Sequence, residues 1–180
     1  MTRIVLRQGG NIVLKTLIIF LLLTTPAWPQ PWPQTPPKIG RLELKQEYWD
    51  YIKEAAHRYQ ISPYLIQAVC AIESRYDPKA RSGKCFGLMQ LHKDTAKKYD
   101  VDPHNPRENI MGGAAVLARL IWKYQGNLRR MLRVYNSTST EAYEREVIRA
   151  YKQAQLIEIS PLLGKKHHVK LIDTDKNLWN

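Results

Sequence analysis

One carboxyl group sits where the surrounding residues predict a buried helical face. Ser62 and Pro63 read as an N-cap and a first-turn proline, and the apolar stretch behind them predicts a helix that stops before Pro78. At about 100° per residue, Leu65, Ile66, Ala68, Val69, Cys70 and Ile72 form a wide apolar arc. Glu73 falls inside that arc, between Val69 and Ile66. An ionised carboxylate buried without a partner is costly, so it either pairs with a base or holds its proton. Arg75 and Lys79 lie at or outside the edge of the arc, which disfavours pairing. A protonated glutamate with a raised pKa is what a general acid needs near neutral pH. Asp77, four residues on, lies at the arc's edge and reads as a helix-end residue before Pro78.

The elements that must hold such an acid are helices. Five helical segments are expected between residues 40 and 159, with no convincing alternating strand. The first carries Leu44, Tyr48, Tyr51, Ile52 and Ala55 on one face, and the second is the helix of Glu73. The third opens with Asn105, Pro106 and Glu108 and points Ile110, Ala114, Leu117 and Ile121 inward, ending near Gly126. The fourth has Leu128, Met131, Leu132 and Tyr135; the fifth opens with a Thr138–Glu141 capping box and runs through Tyr143, Val147 and Ala154. Short joints make these neighbours in one mostly α, bundle-like globule. Residues between Lys79 and Asp94 are too polar and glycine-rich for a core helix and read as a loop over a cleft.

The flanks read differently. Residues 1–27 combine Arg3, Arg7 and Lys15 with the apolar run Leu17–Leu23 and small residues before Trp28, the pattern of a secretory signal peptide. That run is too short for a typical membrane span, so membrane attachment is expected only through an uncleaved signal segment. Residues 28–39 are proline-rich and predict a stiff spacer; residues 160–180 form an extension without a clear pattern. Export to the periplasm or beyond permits disulfides, and Cys70 and Cys85 could pair across a short loop or remain buried free thiols. The 28 Lys and Arg against 16 Asp and Glu give a net charge of +12, and signal cleavage would leave +9. A positive surface suits an acidic polymer, an anionic membrane or nucleic acid. Scattered basics in an exported chain argue against nucleic acid. No metal and no cofactor is expected: the five histidines lack paired helical spacing, and Asp100-Val-Asp102-Pro-His104 lacks a calcium loop's glycine.

Several segments resemble one family in order and with similar gaps. Ala71-Ile-Glu-Ser-Arg-Tyr-Asp-Pro78 is similar to the glutamate–serine motif of soluble lytic transglycosylases. Gly87-Leu-Met-Gln-Leu91, Asn109-Ile-Met-Gly-Gly-Ala114, Val134-Tyr-Asn136 and Thr140-Glu-Ala-Tyr143 with Val147 resemble the family's later motifs. The resemblance implies a lysozyme-like helical fold acting on the glycan strands of peptidoglycan, with Glu73 as catalytic acid. It implies that Ser74 supports the acid, that Met89 and Gln90 line the saccharide groove, and that Tyr135, Asn136 and Tyr143 surround acid and sugar. The sequence departs from the pattern at Lys84 and Lys93, and Ser137-Thr138 stands where Ala-Gly is typical. Those changes fall on loop geometry and leave the acid untouched.

Glycosidases that use water normally need two carboxylates flanking the bond, and no motif ties a second acid to Glu73. One carboxyl suffices when the substrate supplies the nucleophile. Glu73 would protonate the MurNAc–GlcNAc β-1,4 oxygen and then accept the muramoyl 6-hydroxyl proton, giving a 1,6-anhydromuramoyl end. A hydrolytic muramidase, with a partner from Asp94, Asp100 or Asp102, and a non-catalytic wall-binding component are the alternatives. The chain's small size points to a partner in a secretion or conjugation assembly.

Overall fold

The computed structural model describes residues 32–137 and 140–159; the expected signal peptide, the start of the proline-rich stretch, Thr138 and the extension over 160–180 lie outside them. Among the described residues the apolar periodicities become six helices: α1 (Gln46–Tyr59), α2 (Pro63–Ser74), α3 (Lys93–Tyr99), α4 (Pro106–Lys123), α5 (Leu128–Tyr135) and α6 (Glu141–Ile159). The chain is mostly α, as its patterning implies, and α1, α2, α4, α5 and α6 are the five expected helices. Helix α3 was not expected from the sequence. Its seven residues bury only Ala96, so it shows no apolar stripe to read.

Helix ends follow local chemistry. The Asn105 side chain accepts hydrogen bonds from the N–H groups of Arg107 and Glu108, with Pro106 in the first turn, as the sequence predicts for the start of α4. Helix α2 stops earlier than expected. Arg75 and Tyr76 adopt φ of 54° and 66°, two consecutive left-handed residues that end the helix before Asp77. Asp77 is therefore in a turn, where its carboxylate accepts from the Lys79 N–H at 2.9 Å. Helix α6 begins at Glu141, with the Tyr143 N–H bonded to the Thr140 carbonyl.

Between α2 and α3 the expected loop contains a small antiparallel sheet, β1 (Arg81–Ser82), β2 (Cys85–Phe86) and β3 (Leu91–His92), in that order. The register pairs Ser82 with Cys85 and Phe86 with Leu91. Two-residue strands are too short to show alternation, which is why periodicity missed them.

Helix α2 packs against α1 and α6, α1 against α4, and α5 bridges α4 and α6. The core between them holds Trp49, Ile66, Leu88, Ile110, Leu117 and Met131, all essentially inaccessible to solvent. The proline-rich stretch behaves differently from a free spacer from Trp32 onward. Trp49 Nε1 donates to the Pro33 carbonyl at 2.9 Å, and buried Gln67 of α2 donates to the Pro37 carbonyl at 2.5 Å. Trp32 and Ile39 pack on the core. Proline explains the conformation: these residues make no regular ladder, so their carbonyls are free for side-chain donors.

Candidate active site

Glu73 is the second-last residue of α2, so its carboxyl leaves the helix where the chain turns toward the sheet. It is partly buried, as the apolar arc predicts. Burial pushes its pKa above the ordinary glutamate range, opposed by one hydrogen bond from Tyr143, whose hydroxyl donates to Oε1 at 2.5 Å. Desolvation is the larger effect, so the carboxyl holds its proton to higher pH than a solvated glutamate. Among the described residues no ion pair joins Glu73 to Arg75 or Lys79. Burial first, and the Glu73 charge after it, raise the pKa of Cys70, Cys85, Tyr135 and Tyr143, and none of these is a carboxylate. Asp94, Asp100 and Asp102 are exposed, and none of them is among the groups that shift Glu73.

The turn from Gly87 to Gln90 is built against this carboxyl by main-chain bonds. Ser74 Oγ donates toward the carbonyls of Cys70 at 3.0 Å and Leu88 at 2.8 Å, tying the end of α2 to the turn. Tyr135 on α5 donates to the Met89 carbonyl at 3.0 Å. Gln90, itself left-handed at φ 46°, donates through Nε2 to the carbonyls of Ala80 and Gly87, at 3.1 and 3.0 Å. Asn109 is the hub. It is fully buried at the start of α4; its Oδ1 accepts from the Met89 N–H at 2.8 Å, and its Nδ2 donates to the carbonyls of Phe86 at 2.7 Å and Pro103 at 2.8 Å. Gly87 takes φ +73°, and a side chain there would overlap the Asn109 amide. Gly113 lets α4 approach the turn, because a Cβ there would overlap the Met89 side chain.

The structure thus bonds Tyr143 to Glu73, ties Ser74, Gln90 and Tyr135 to main-chain carbonyls in and around the turn, and sets Tyr135 within reach of the Glu73 charge. Asn136 lies at the C-cap of α5, partly exposed and next to Tyr135. Met89 departs from its expected place in a groove: its side chain is fully buried in the core against Gly113, and only its main chain joins the network. Its apolar character decides this, since burial in the core gains more than exposure to a polar ligand. Cys70 and Cys85 are free thiols, the first buried in α2 and the second partly buried in β2; burial raises the pKa of both. The anticipated loop changes are absorbed locally, with Gly83 supplying φ +58° beside Lys84, and Lys93 starting α3. Asn109 lies in one of the motifs, and its role as hub is not evident from the sequence alone. A buried amide one position before the apolar stripe at Ile110 is the available signal, and its partners are main-chain atoms that no side-chain pattern reveals.

The family model described as the transglycosylase SLT domain matches residues 50–156. The transglycosylase of Enterobacteria phage PRD1 is 32% identical over 120 residues, covering 66% of this chain and 45% of the relative. The membrane-bound lytic murein transglycosylase C of Actinobacillus pleuropneumoniae is 31% identical over 119 residues, covering 54% of this chain and 33% of the relative. The chain therefore spans less than half the length of these curated relatives. Among solved structures, an inactive mutant of lytic transglycosylase Slt from Pseudomonas aeruginosa aligns with a TM-score of 0.46 at 24% identity, covering 63% of this chain and 24% of that one. With the family model spanning well over half of its residues, and with Glu73, the Gly87–Gln90 turn and Tyr143 inside the matched region, this chain belongs to the transglycosylase SLT domain family.

Proposed function

We propose that the chain is a peptidoglycan lytic transglycosylase in which Glu73 is both acid and base. The observation that carries this reading is a single carboxyl, raised in pKa by burial, with no second carboxylate acting on it among the described residues. The names of the relatives, a phage transglycosylase and a lytic murein transglycosylase, support the substrate class.

In this reading Tyr143 occupies Oε1, which leaves the proton on Oε2 to face the glycosidic oxygen. Proton transfer to that oxygen breaks the bond from C1 of MurNAc to the GlcNAc leaving group, and positive charge develops on the muramoyl ring. The carboxylate left on Glu73 then accepts the proton of the muramoyl 6-hydroxyl as its oxygen bonds to C1. The sugar ends as a 1,6-anhydro ring, Glu73 regains its proton, and no water is consumed. Tyr143 favours the charged carboxylate between the two steps, because its hydrogen bond strengthens as charge appears. Tyr135 and Ser74 position the turn beside the acid, Gln90 offers the sugar its Oε1 while its Nε2 holds the carbonyls of Ala80 and Gly87, and Asn136 adds an amide. Peptidoglycan lies outside the cytoplasm, and a signal peptide over residues 1–27 would deliver the domain there.

Mass spectrometry of muropeptides released from purified sacculi tests the product. Anhydromuramoyl ends are expected. Exclusively reducing MurNAc ends would instead identify a hydrolytic muramidase and refute the transglycosylase.

A further inference from the structure

Helices α5 and α6 carry the two tyrosines of the site, and a charged pair closes the space between them. Glu144 is 1% exposed, yet it is a carboxylate with a partner. Its Oε1 accepts from Arg133 Nε at 2.7 Å and its Oε2 from Nη2 at 3.3 Å, a two-point fork. Arg133 stands two residues before Tyr135, whose hydroxyl holds the Met89 carbonyl. Glu144 stands next to Tyr143, whose hydroxyl holds Glu73. The pair therefore joins α5 to α6, anchored beside each tyrosine.

We infer that the Arg133–Glu144 pair is a positioning device that fixes the rotation of α6 and with it the Tyr143 bond on Glu73. The physical case starts from the choice of residue. Arg133 is 59% exposed and Glu144 1%, so only the carboxylate is desolvated, and an apolar side chain in its place would fill the buried position at least as well. An apolar contact, however, tolerates sliding and rotation, whereas a planar guanidinium forked on a carboxylate has one geometry. Successive residues on α6 differ by about 100° around the axis, so a fixed Glu144 fixes Tyr143 as well. Glu141, the other acid near Arg133, is exposed and bonded to Arg145 at 3.3 Å, which leaves the fork to Glu144. The side chains facing Glu73 from the packed elements are Cys70 on α2, Cys85 on β2, Tyr135 on α5 and Tyr143 on α6. None of them carries a charge that would duplicate the role of the pair.

This inference deepens the reading of Glu73 as the acid, and it is tested without measuring activity. Carbon-13 NMR of labelled glutamate follows the titration of Glu73 in the folded full chain, for wild type, Tyr143→Phe, Arg133→Lys, Glu144→Gln and the combinations with Tyr143→Phe. Tyr143→Phe raises the Glu73 midpoint, because the bond that lowers it is gone. Arg133→Lys keeps the charge but loses the fork, and it gives a smaller rise in the same direction. Glu144→Gln gives the same sign, whereas loss of the Glu144 field alone would lower the midpoint. In the Tyr143→Phe background neither change moves Glu73 further. An unmoved or lowered midpoint in folded Arg133→Lys, or a rise that persists without the Tyr143 hydroxyl, overturns the inference. If Glu144→Gln does not fold, Arg133→Lys decides alone. The muropeptide products separately decide the transglycosylase reading, so the two fail independently.

Discussion

Burial sets the proton affinity of Glu73, and a single tyrosine tempers it. The consequence for stability has a definite sign. The folded state holds the Glu73 proton more tightly than the unfolded chain does, so stability is greatest below the ordinary glutamate pKa of about 4.3 and declines as pH rises through the raised folded value. Glu73→Gln removes that decline, and at neutral pH it is more stable than wild type by about 1.4 kcal/mol for each unit of raised pKa. Thermal denaturation of both proteins from about pH 4 upward measures the difference, and parallel curves would contradict it. Tyr143→Phe acts on the reaction. It removes a charge-assisted bond of about 1.5–3 kcal/mol, so turnover falls at least tenfold while the alkaline limb of the pH profile moves upward. Initial rates on sacculi across pH report both. The acid was legible because one helical projection places Glu73 among apolar neighbours. Tyr143 was legible only through the family resemblance, since no local pattern links it to a residue 70 positions away.

At the scale of elements, the site depends on how closely a turn can approach a helix. Asn109 satisfies three main-chain groups at once, so Asn109→Leu leaves a buried N–H and two carbonyls unpaired. A loss of about 3 kcal/mol is expected in urea unfolding, with activity lost in step as the Gly87–Gln90 turn loosens. Gly113→Ala overpacks the same contact from the other side, at about 1–3 kcal/mol, and Met89→Ala partly restores the double mutant by vacating the space. Additive losses in the double mutant would show that Met89 and Gly113 do not share one contact. The five principal helices were readable from apolar spacing and caps, because those signals are local. The early end of α2 was not. Proline at position 78 predicts a stop, but the left-handed Arg75 and Tyr76 end the helix sooner, and neither residue type announces that conformation. The two-residue strands and α3 were too short for any period to register.

Across the whole molecule, composition speaks mainly about encounter. The stretch from residue 109 to 140 carries Arg119, Lys123, Arg129, Arg130 and Arg133 and no acid. In the proposed function the excess positive charge draws the domain to a polyanionic wall, so binding to sacculi weakens as salt rises and screening shortens from about 10 Å at 0.1 M to about 3 Å at 1 M. Salt-independent pelleting with sacculi would contradict an electrostatic encounter. The proline-rich segment shows the limit of composition as a guide. It reads as a spacer, yet Pro33 and Pro37 bind Trp49 and Gln67 through their carbonyls. A chain beginning at Arg41 is therefore less stable than one beginning at Trp32, by about 3 kcal/mol, because Gln67 loses the Pro37 carbonyl and the core loses the packing of Trp32 and Ile39. The most direct measurement for the account as a whole is a digest of intact sacculi by wild type and by Glu73→Gln at equal, verified folding. The account predicts anhydromuropeptides from wild type and almost none from Glu73→Gln. Undiminished release by Glu73→Gln would mean that the proton comes from elsewhere, and that Glu73 is not the acid.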